Sequence, residues 1–493
     1  MGAFAELFYR GQAMQLARWP NMLPDDIVSY SHTSGGYGFN CSQKGFTCQG
    51  NCTGFLMPNL SVPRLKKWEQ EATSRDPWLQ GFFTWDFAQQ FMKLTGVDAA
   101  AHGLIVGSDQ EVCKRGARIT AVNLLSELDA ESEYYIERSN GSAASTAARG
   151  MLFFRKPSGL VPSDGVGGAF ISATHSVMSF ANSTSSIALK GLRMEHSRGS
   201  AIVAYGAASN IVVGNCTVAN TGASGLEMID CTNCTIDQCE LFGMAACGMR
   251  VAGGRHMSLR RGDNTIRDNH IHHYARWHRD NMPAIQWQGV GNTFAGNVIH
   301  DSPTQAFLGG GSSAICGHCK FDKKNNLLCV SEYDIACGAN DNIFERNWIY
   351  NVTRECTDCG QFYSCGQTGA GYNQRGNIFR NNRMEDSYRR IFSPNPGAFG
   401  NLQVFTFYLD DTMSGWAVEN NTIVNCTIGV LFNGGRDNIV HDNHFERVGN
   451  AIQLVDECPH GKITMSNLYR GFTELRKTAK WPACESDCHL TST

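Results

Sequence analysis

The clearest pattern of polar and apolar positions runs from Asn264 to Asp456, where an Asn is followed by any residue and then by an apolar residue. The shortest interval between copies is 22 residues, and the longer intervals fit the same unit with inserted loops. A short repeat of this kind predicts a solenoid whose coils bury one face against their neighbours. The recurrent Asn suits a tight turn or an inward amide ladder between coils. We therefore predict an all-β chain that forms a parallel β-helix. Copies of the pattern are Asn269-His-Ile271, Asn297-Val-Ile299, Asn347-Trp-Ile349, Asn382-Arg-Met384, Asn421-Thr-Ile423 and Asn443-His-Phe445.

The same pattern divides the chain into three segments. Residues 1–165 lack the repeat and carry short apolar and aromatic runs, which predict a β-rich N-terminal cap domain over exposed strand edges. The β-helix is predicted for 166–458, with long insertions at 309–337 and 356–372, and loops of that length are usually functional. Residues 459–493 are predicted to fold back as a C-terminal cover segment.

Composition agrees with many short strands and excludes some partners. The 493 residues include 52 Gly and only 18% charged residues, which favours strands and turns over long surface helices. The net charge is −3 and there is no long basic run, so nucleic acid is not expected as a partner. No run of 18 apolar residues is present, so no membrane span is expected. We expect a monomer.

Cysteine content and glycosylation sequons indicate an oxidising compartment. The chain holds 20 Cys, and ten Asn-x-Ser/Thr sequons occur, although some arise by chance in an Asn-rich repeat. We expect a secreted glycoprotein whose signal segment is missing here, because the first residues lack the basic and apolar regions of a signal peptide. Disulfides that staple loops are favoured over zinc or redox chemistry, since no thioredoxin-type βαβ setting is present. The Cys-x-x-Cys pairs are Cys231/Cys234, Cys316/Cys319 and Cys356/Cys359.

The flat face of a β-helix suits an extended polymer, of which a polysaccharide is the natural example. Cleavage of a glycosidic bond needs two carboxyls, about 5 Å apart for retention of configuration or roughly 6.5–9.5 Å for inversion. The candidates are Asp358 in the second insertion and the doublet Asp410-Asp411 at a strand end. The alternative, that the doublet caps a turn and Asp358 lies in a solvated loop, stays open. Strict alternation would place Phe405, Phe407 and Leu409 inward and Thr406, Tyr408 and Asp410 outward.

A second group of residues could stack on a sugar or hydrogen-bond to it. It runs from His270 to Trp277 and continues over 285–288, and its histidines are His270, His272 and His273. These histidines could ligate a metal, but no carboxylate stands at a recognisable spacing, so neither a metal nor a cofactor is expected. The predicted substrate-binding residues are His272, Arg276, Trp277, Gln286, Trp287, Tyr363, Gln367, Arg375 and Tyr408.

Several stretches between Leu7 and Asp456 resemble secreted right-handed parallel β-helix proteins related to the glycoside hydrolase family that includes α-L-fucosidases and xylanases. The resemblance implies glycosidic hydrolysis by an aspartate pair, which maps onto Asp358 and the Asp410-Asp411 doublet. Two departures affect the cleft. The family tends to have Pro-His where this chain has Pro303-Thr304, and Gly-Arg where it has Gly366-Gln367. The matching stretches are Leu16-Ala-Arg-Trp-Pro-Asn21, Trp85-Asp86, Asn123-Leu-Leu-Ser-Glu-Leu-Asp129, Gly289-Val-Gly-Asn292, Asp358-x-Gly-x-x-Tyr363, Tyr408-Leu-Asp-Asp411 and Gly434-Gly-Arg-Asp-Asn438.

Three functions follow as hypotheses. The first is a glycoside hydrolase acting on a polysaccharide or its side chains, in which one of Asp358 and Asp410 is the general acid and the other the nucleophile or base. The second is a polysaccharide lyase or uronate epimerase, for which Arg276, Arg375 and His272 could serve as base or charge partner. The third is a non-catalytic carbohydrate-binding or surface-adhesion protein, consistent with the missing His and Arg. Collapse of turnover on loss of the aspartates would indicate the hydrolase, an absorbing unsaturated product would indicate a lyase, and ligand retention without turnover would indicate a binding protein.

Overall fold

A computed structural model describes residues 5–23, 28–37, 52–110, 115–137, 151–158, 168–255, 258–310, 339–365, 376–388, 404–410, 413–433, 438–455 and 468–470. The chain divides into two compact units at the boundary between Ser172 and Ala173. The predicted domain limits at 165 and 458 stay predictions. Within the described residues, no helix is long and apolar enough to cross a membrane.

The N-terminal unit is rich in antiparallel strands and carries one long helix among its described residues. The helix α1 (Val62–Ser74) has a proline in its first turn, where a missing N–H costs nothing. Its buried face, Leu65, Trp68 and Ala72, follows helical spacing and packs in the core of this unit. A short 3₁₀ helix spans Leu125–Glu127. The strands are β1 (Leu7–Tyr9), β2 (Gln12–Ala13), β3 (Gln15–Leu16), β4 (Arg18–Trp19), β5 (Ser31–His32), β6 (Gly35–Tyr37), β7 (Cys52–Leu56), β8 (Trp78–Phe82), β9 (Gln90–Asp98), β10 (Gly103–Gln110), β11 (Arg118–Val122), β12 (Glu133–Glu137), β13 (Met151–Phe154) and β14 (Ala169–Ile171).

The second unit is a right-handed parallel β-helix, as predicted. Each coil contributes strands to three parallel stacks, which we call the first, second and third stack in chain order within a coil. The first stack contains β16 (Ser185–Lys190), β19 (Ser209–Gly214), β22 (Thr235–Asp237), β25 (Thr265–Arg267), β28 (Thr293–Ala295), β32 (Ile343–Glu345), β35 (Asn377–Arg380), β38 (Trp416–Glu419), β40 (Ile439–His441) and β42 (Leu468–Arg470).

The other two stacks merge in the last coils, where single strands serve both. The second stack contains β17 (Arg193–Glu195), β20 (Thr217–Ala219), β23 (Glu240–Phe242), β26 (His270–His272), β29 (Val298–His300), β33 (Trp348–Tyr350) and β36 (Arg383–Ser387). The third contains β15 (Met178–Phe180), β18 (Ile202–Tyr205), β21 (Leu226–Ile229), β24 (Met249–Gly253), β27 (Ile285–Val290), β30 (Phe307–Gly309), β34 (Cys359–Cys365) and β37 (Val404–Asp410). The shared strands are β39 (Thr422–Asn433) and β41 (His444–Val455), and a short β31 (Ala339–Asn340) pairs with β27.

Asparagine ladders join successive coils inside the β-helix, which confirms the inward amide ladder. The backbone N–H and the Nδ2 of Asn347 both donate to Oδ1 of Asn382, at 3.0 and 2.9 Å, and the same Nδ2 donates to the Phe294 carbonyl at 3.1 Å. Each buried amide thereby finds hydrogen-bond partners in the neighbouring coils. An apolar side chain at this position could not accept the hydrogen bond from the backbone N–H of the previous coil. One ladder runs through Asn264, Asn292, Asn342 and Asn377, and the other through Asn269, Asn297, Asn347, Asn382, Asn421 and Asn443.

The cysteine predictions have mixed outcomes. Cys356 and Cys359 form a disulfide, as expected. The predicted pairing of Cys231 with Cys234 is wrong, because both are free and buried. Cys234 precedes its strand at the position where the next coil has Asn264, and its N–H donates to Oδ1 of that residue at 3.0 Å. Its thiol thus fills a ladder position in the core. Cys316 and Cys319 lie outside the described residues.

Candidate functional site

The candidate site lies on the outward surface of the third stack. Inward positions of its strands are apolar, as shown by Phe362 and Phe407, whose rings stack in the core at 4.8 Å. The next residue in each strand therefore points outward. These residues, Tyr363 and Tyr408, lie in register on adjacent coils, and their rings stack at 4.7 Å. The backbone ladder thus fixes the spacing of two phenol rings on the surface.

Asp410 ends strand β37 and is held by neutral donors from both neighbouring coils. The Tyr363 hydroxyl donates to its Oδ2 at 2.7 Å, and the Asn433 amide donates to its Oδ1 at 2.7 Å. Only 8% of Asp410 is exposed. Because these donors sit on fixed strands, the carboxylate is held in one orientation at the surface of the stack.

Asp358 immediately precedes strand β34 and adopts φ 52°, in the left-handed region that Asp tolerates better than most residues. The Tyr408 hydroxyl donates to its Oδ1 at 3.3 Å. Burial, and then the charges of Asp410 and Asp358, raise the pKa of Tyr408 above its ordinary value. This hydroxyl therefore keeps its proton and interacts with both carboxylates. The structure brings the two predicted aspartates together around one phenol.

The turn that carries Asp358 is braced on both sides. The Cys356–Cys359 disulfide spans it. Glu355, three residues earlier, accepts two hydrogen bonds from the Arg279 guanidinium, one of them from Nε at 3.0 Å, and both side chains are buried. A buried bidentate ion pair and a covalent bridge limit the movement of this turn. Asp358 is thus presented by a rigid segment.

The strand before Asp410 departs from the alternation that the sequence suggests. Phe407 and Leu409 point into the core, and Tyr408 points outward, as predicted. The inward prediction for Phe405 is wrong, because its ring packs against Tyr408 at 4.5 Å in a separate outer cluster. The outward prediction for Thr406 is also wrong, since this residue is fully buried. Alternation breaks at Thr406, which the register with both neighbouring strands skips between Phe405 and Phe407, so the regular pleat is interrupted there.

The substrate-binding prediction for Trp287 is wrong. Its indole is fully buried between Phe344 at 4.8 Å and Trp416 at 6.0 Å. The physical reason is that Trp287 alternates with Gln286 in β27 and so points inward. The next coil places Gly309 opposite it, where a Cβ would lie 3.0 Å from the indole ring.

The remaining predicted contacts are dispersed. His272 lies on the second stack, away from the strands that carry the aspartates. Arg276 donates from Nε to the Gly243 carbonyl at 2.7 Å, which gives it a role in bracing the turn. Trp277 is half-buried in the same turn. Asp411, Gln367 and Arg375 lie outside the described residues. Thr304, where the resemblance leads one to expect His, is fully buried.

Sequence reasoning named Gln286 but missed the two charged residues, Glu227 and Arg250, that share its outward row. The three residues occupy matching positions on successive coils. Arg250 donates from Nε to Gln286 Oε1 at 2.8 Å, and its Nη1 lies 3.2 Å from Glu227 Oε2. The 23-residue spacing of Glu227 and Arg250 equals that of Cys216 and Cys239, which also repeat from one coil to the next. That common period was the available signal.

Comparison with known proteins supports the fold. A family model for the right-handed β-helix region matches residues 168–261. No curated protein sequence matches the chain. A solved structure described as a glycoside hydrolase is 12% identical, with 90% of this chain and 77% of that chain covered and a TM-score of 0.60.

Two further solved structures are less similar. A catalytic domain of a GH87 α-1,3-glucanase with tetrasaccharides is 10% identical, with 94% of this chain and 92% of that chain covered and a TM-score of 0.33. An alginate lyase from Paenibacillus sp. str. FPU-7 is 13% identical, with 52% and 76% covered and a TM-score of 0.33. At these identities the first of the three likenesses, with its higher TM-score, shows a shared fold, the right-handed parallel β-helix.

Proposed function

We propose that this protein is a carbohydrate-active enzyme that hydrolyses glycosidic bonds with Asp358 and Asp410. The observation that carries the proposal is the stacked pair of phenols on the outward surface of the third stack, in which the Tyr408 hydroxyl donates to Asp358 and the Tyr363 hydroxyl donates to Asp410. Two carboxyls near one another at a surface that can receive a polymer are the reagents of this reaction. The resemblance to the family of α-L-fucosidases and xylanases supports the same assignment.

In this proposal the two aspartates divide the work. One protonates the leaving oxygen, and the other acts as the nucleophile or as the base that activates water. The Tyr408 hydroxyl can donate a hydrogen bond to either carboxylate, and this stabilises whichever of the two is ionised. Tyr363 and Asn433 orient Asp410 through the hydrogen bonds described above.

A hydrolase fits the described site better than a lyase or epimerase. Those reactions need a base beside the acidic carbon of a uronate. Among the described candidates, His272 lies on another stack and Arg276 contacts backbone carbonyls. The phenols beside the aspartates are poor bases, since burial above all raises the pKa of Tyr363 and of Tyr408.

We also propose that the protein acts outside the cell as a monomer. The Cys356–Cys359 disulfide and the ten sequons support an oxidising compartment. A carbohydrate polymer is the proposed partner, and the net charge of −3 gives no support to nucleic acid.

The test is release of reducing sugar from fucosylated polysaccharides, xylans and uronate polysaccharides. Wild type is compared with Asp358→Asn and Asp410→Asn, and Asp442→Asn, an exposed carboxylate in a later coil, is the matched control. We expect release by wild type and by the control, and a loss of about 10²- to 10⁴-fold in each site variant.

Other outcomes would contradict the proposal in different ways. A product that absorbs as an unsaturated uronide would establish a lyase. Retention on an affinity gel without release from any substrate, unchanged in both site variants, would establish a binding protein.

A further inference from the structure

A row of stacked rings runs along the outward surface of the second stack. Phe242, His272, His300 and Tyr350 occupy the same register position on successive coils. Neighbouring rings are nearly parallel, with interplanar angles of 6°, 6° and 7° and centroid distances of 5.4, 5.1 and 4.6 Å. The β-ladder thereby holds two imidazoles in fixed orientations one coil apart. Further histidines lie beside this row.

The imidazoles meet through their ring nitrogens. His270 Nε2 lies 2.6 Å from His300 Nε2, and His272 Nδ1 lies 2.7 Å from His273 Nδ1. Two ring nitrogens at such a distance cannot both carry a hydrogen, so each pair contains a lone pair directed at its neighbour. Nitrogen lone pairs that converge from separate strands are what a transition-metal ion requires.

One carboxylate, that of Glu240, lies beside the imidazoles. Glu240 Oε1 lies 3.8 Å from His272 Nε2. One donor atom from each of Glu240, His270 and His272 can be chosen so that all lie within 4.8 Å of one another. Tetrahedral zinc with bonds of about 2.0–2.1 Å needs donor atoms roughly 3.3 Å apart. The distance from Glu240 to His272 lies above that value, and the 2.6 Å between His270 Nε2 and His300 Nε2 lies below it.

An outer partner fixes the orientation of His300. Asp301 Oδ2 lies 2.7 Å from His300 Nδ1, and the Asn351 amide in turn donates to Asp301. A carboxylate on one ring nitrogen holds the proton there and leaves the other nitrogen, here Nε2, free of hydrogen and facing His270. Carboxylate, imidazole and metal occur in this order in many metal sites.

From this geometry we propose that Glu240, His270, His272 and His300 bind one divalent transition-metal ion of the zinc or copper class. The four residues come from the consecutive strands β23, β26 and β29, so the ion would cross-link three coils of the β-helix. Its direct consequence is stabilisation of the folded chain by mass action. The expectation of no metal arose because Glu240 and Asp301 are far in sequence from the His270–His273 run, and the coil period brings them together. This inference is independent of the proposed hydrolysis.

The test uses the full chain without a histidine tag, dialysed against a chelator and then given Zn²⁺ or Co²⁺. Bound metal is counted by elemental analysis, Co²⁺ ligation by visible absorption, and stabilisation by the thermal midpoint. We expect about one ion per chain and a raised midpoint. His272→Gln and His270→Gln should abolish the Co²⁺ absorption, and Asp301→Asn should weaken affinity by roughly 10- to 100-fold. Ca²⁺ should not compete, because it prefers oxygen ligands.

Matched controls decide the result. His441→Gln removes another half-buried imidazole that contacts the carboxylates of Glu419 and Asp442, and it should leave metal binding unchanged. Glu240 is half exposed, so Glu240→Gln keeps the fold intact and tests the site should a histidine variant fail to fold. Less than stoichiometric metal, or affinity equal in wild type, Glu240→Gln and Asp301→Asn, would overturn the proposal.

Discussion

The outward surface of the third stack carries Glu227 in its early coils and Asp410 in its late coils, two carboxylates with equal burial and different partners. Glu227 and Asp410 are each 8% exposed, and each lies beside an outward row built by the same β-ladder. Glu227 accepts hydrogen bonds from the hydroxyls of Ser200 and Tyr205 and from the Arg250 guanidinium. Asp410 accepts from a phenol and a carboxamide and shares Tyr408 with Asp358, a second carboxylate.

The difference lies in the third member of each group. The Arg250 guanidinium gives Glu227 a counter-charge and also reaches Gln286, so this half presents a set of polar groups held together. Asp410 instead has a second carboxyl, Asp358, near the same phenol, and a pair of carboxyls is what glycosidic hydrolysis requires. Under the proposed function we therefore expect the Glu227 half to bind substrate and the Asp410 half to carry the chemistry.

The largest expected effect comes from removing each charge in turn. Asp410→Asn should lower kcat by about 10²- to 10⁴-fold, because a proton-transfer group is lost. Glu227→Gln, matched in exposure, should change kcat by less than about threefold and act mainly on KM. Steady-state kinetics on the best substrate of the polysaccharide panel measures both. Equal losses of kcat in the two variants would break the comparison.

A smaller effect should separate the two tyrosines within the Asp410 half. Tyr408→Phe removes the hydroxyl that interacts with both carboxylates and should lower kcat by about 10- to 100-fold. Because a donated hydrogen bond favours an ionised carboxylate and Tyr408 interacts with both aspartates, both limbs of the pH–rate profile should move to higher pH.

Tyr363→Phe is the matched control, since its hydroxyl donates to Asp410 and the ring stack is preserved. It should shift only one limb of the pH–rate profile. Identical profiles for the two variants would show that Tyr408 does not couple the aspartates.

The fold could be predicted because the Asn of the repeated pattern recurs once per coil. Each inward Asn donates to the Asn of the next coil as well as to a backbone carbonyl, so Asn297, Asn347 and Asn382 recur at the same point of each coil. Asp358 was selected from its glycine- and tyrosine-containing motif and Asp410 from its place at a strand end; the structure places both near Tyr408, and their catalytic role stays a prediction.

The errors arose where side-chain direction depends on the neighbouring coil. Trp287 is a residue type that often stacks on sugars, but alternation within β27 directs its side chain inward. The residue opposite it on the next coil is Gly309, where a side chain would clash with Trp287. The inward prediction for Phe405 is wrong because it assumed an alternation that stops at Thr406. The Glu240 and His272 pairing could not be read locally, since it joins residues on adjacent coils.

The smallest expected effect concerns the ion pair of the Glu227 half. Arg250→Met leaves Glu227 with its two hydroxyl donors, and the pair is partly exposed, so the free energy of unfolding should fall by only about 1 kcal/mol. Urea denaturation measures this loss. Arg250→Lys is the matched control, because it keeps the charge but not the fork that reaches both Glu227 and Gln286, and it should restore part of the stability. If the Glu227 half binds substrate, Arg250→Met should also raise KM at unchanged kcat. A fall in kcat as large as that of Tyr408→Phe would mean that the guanidinium takes part in the chemistry, and that the two halves form one reactive surface.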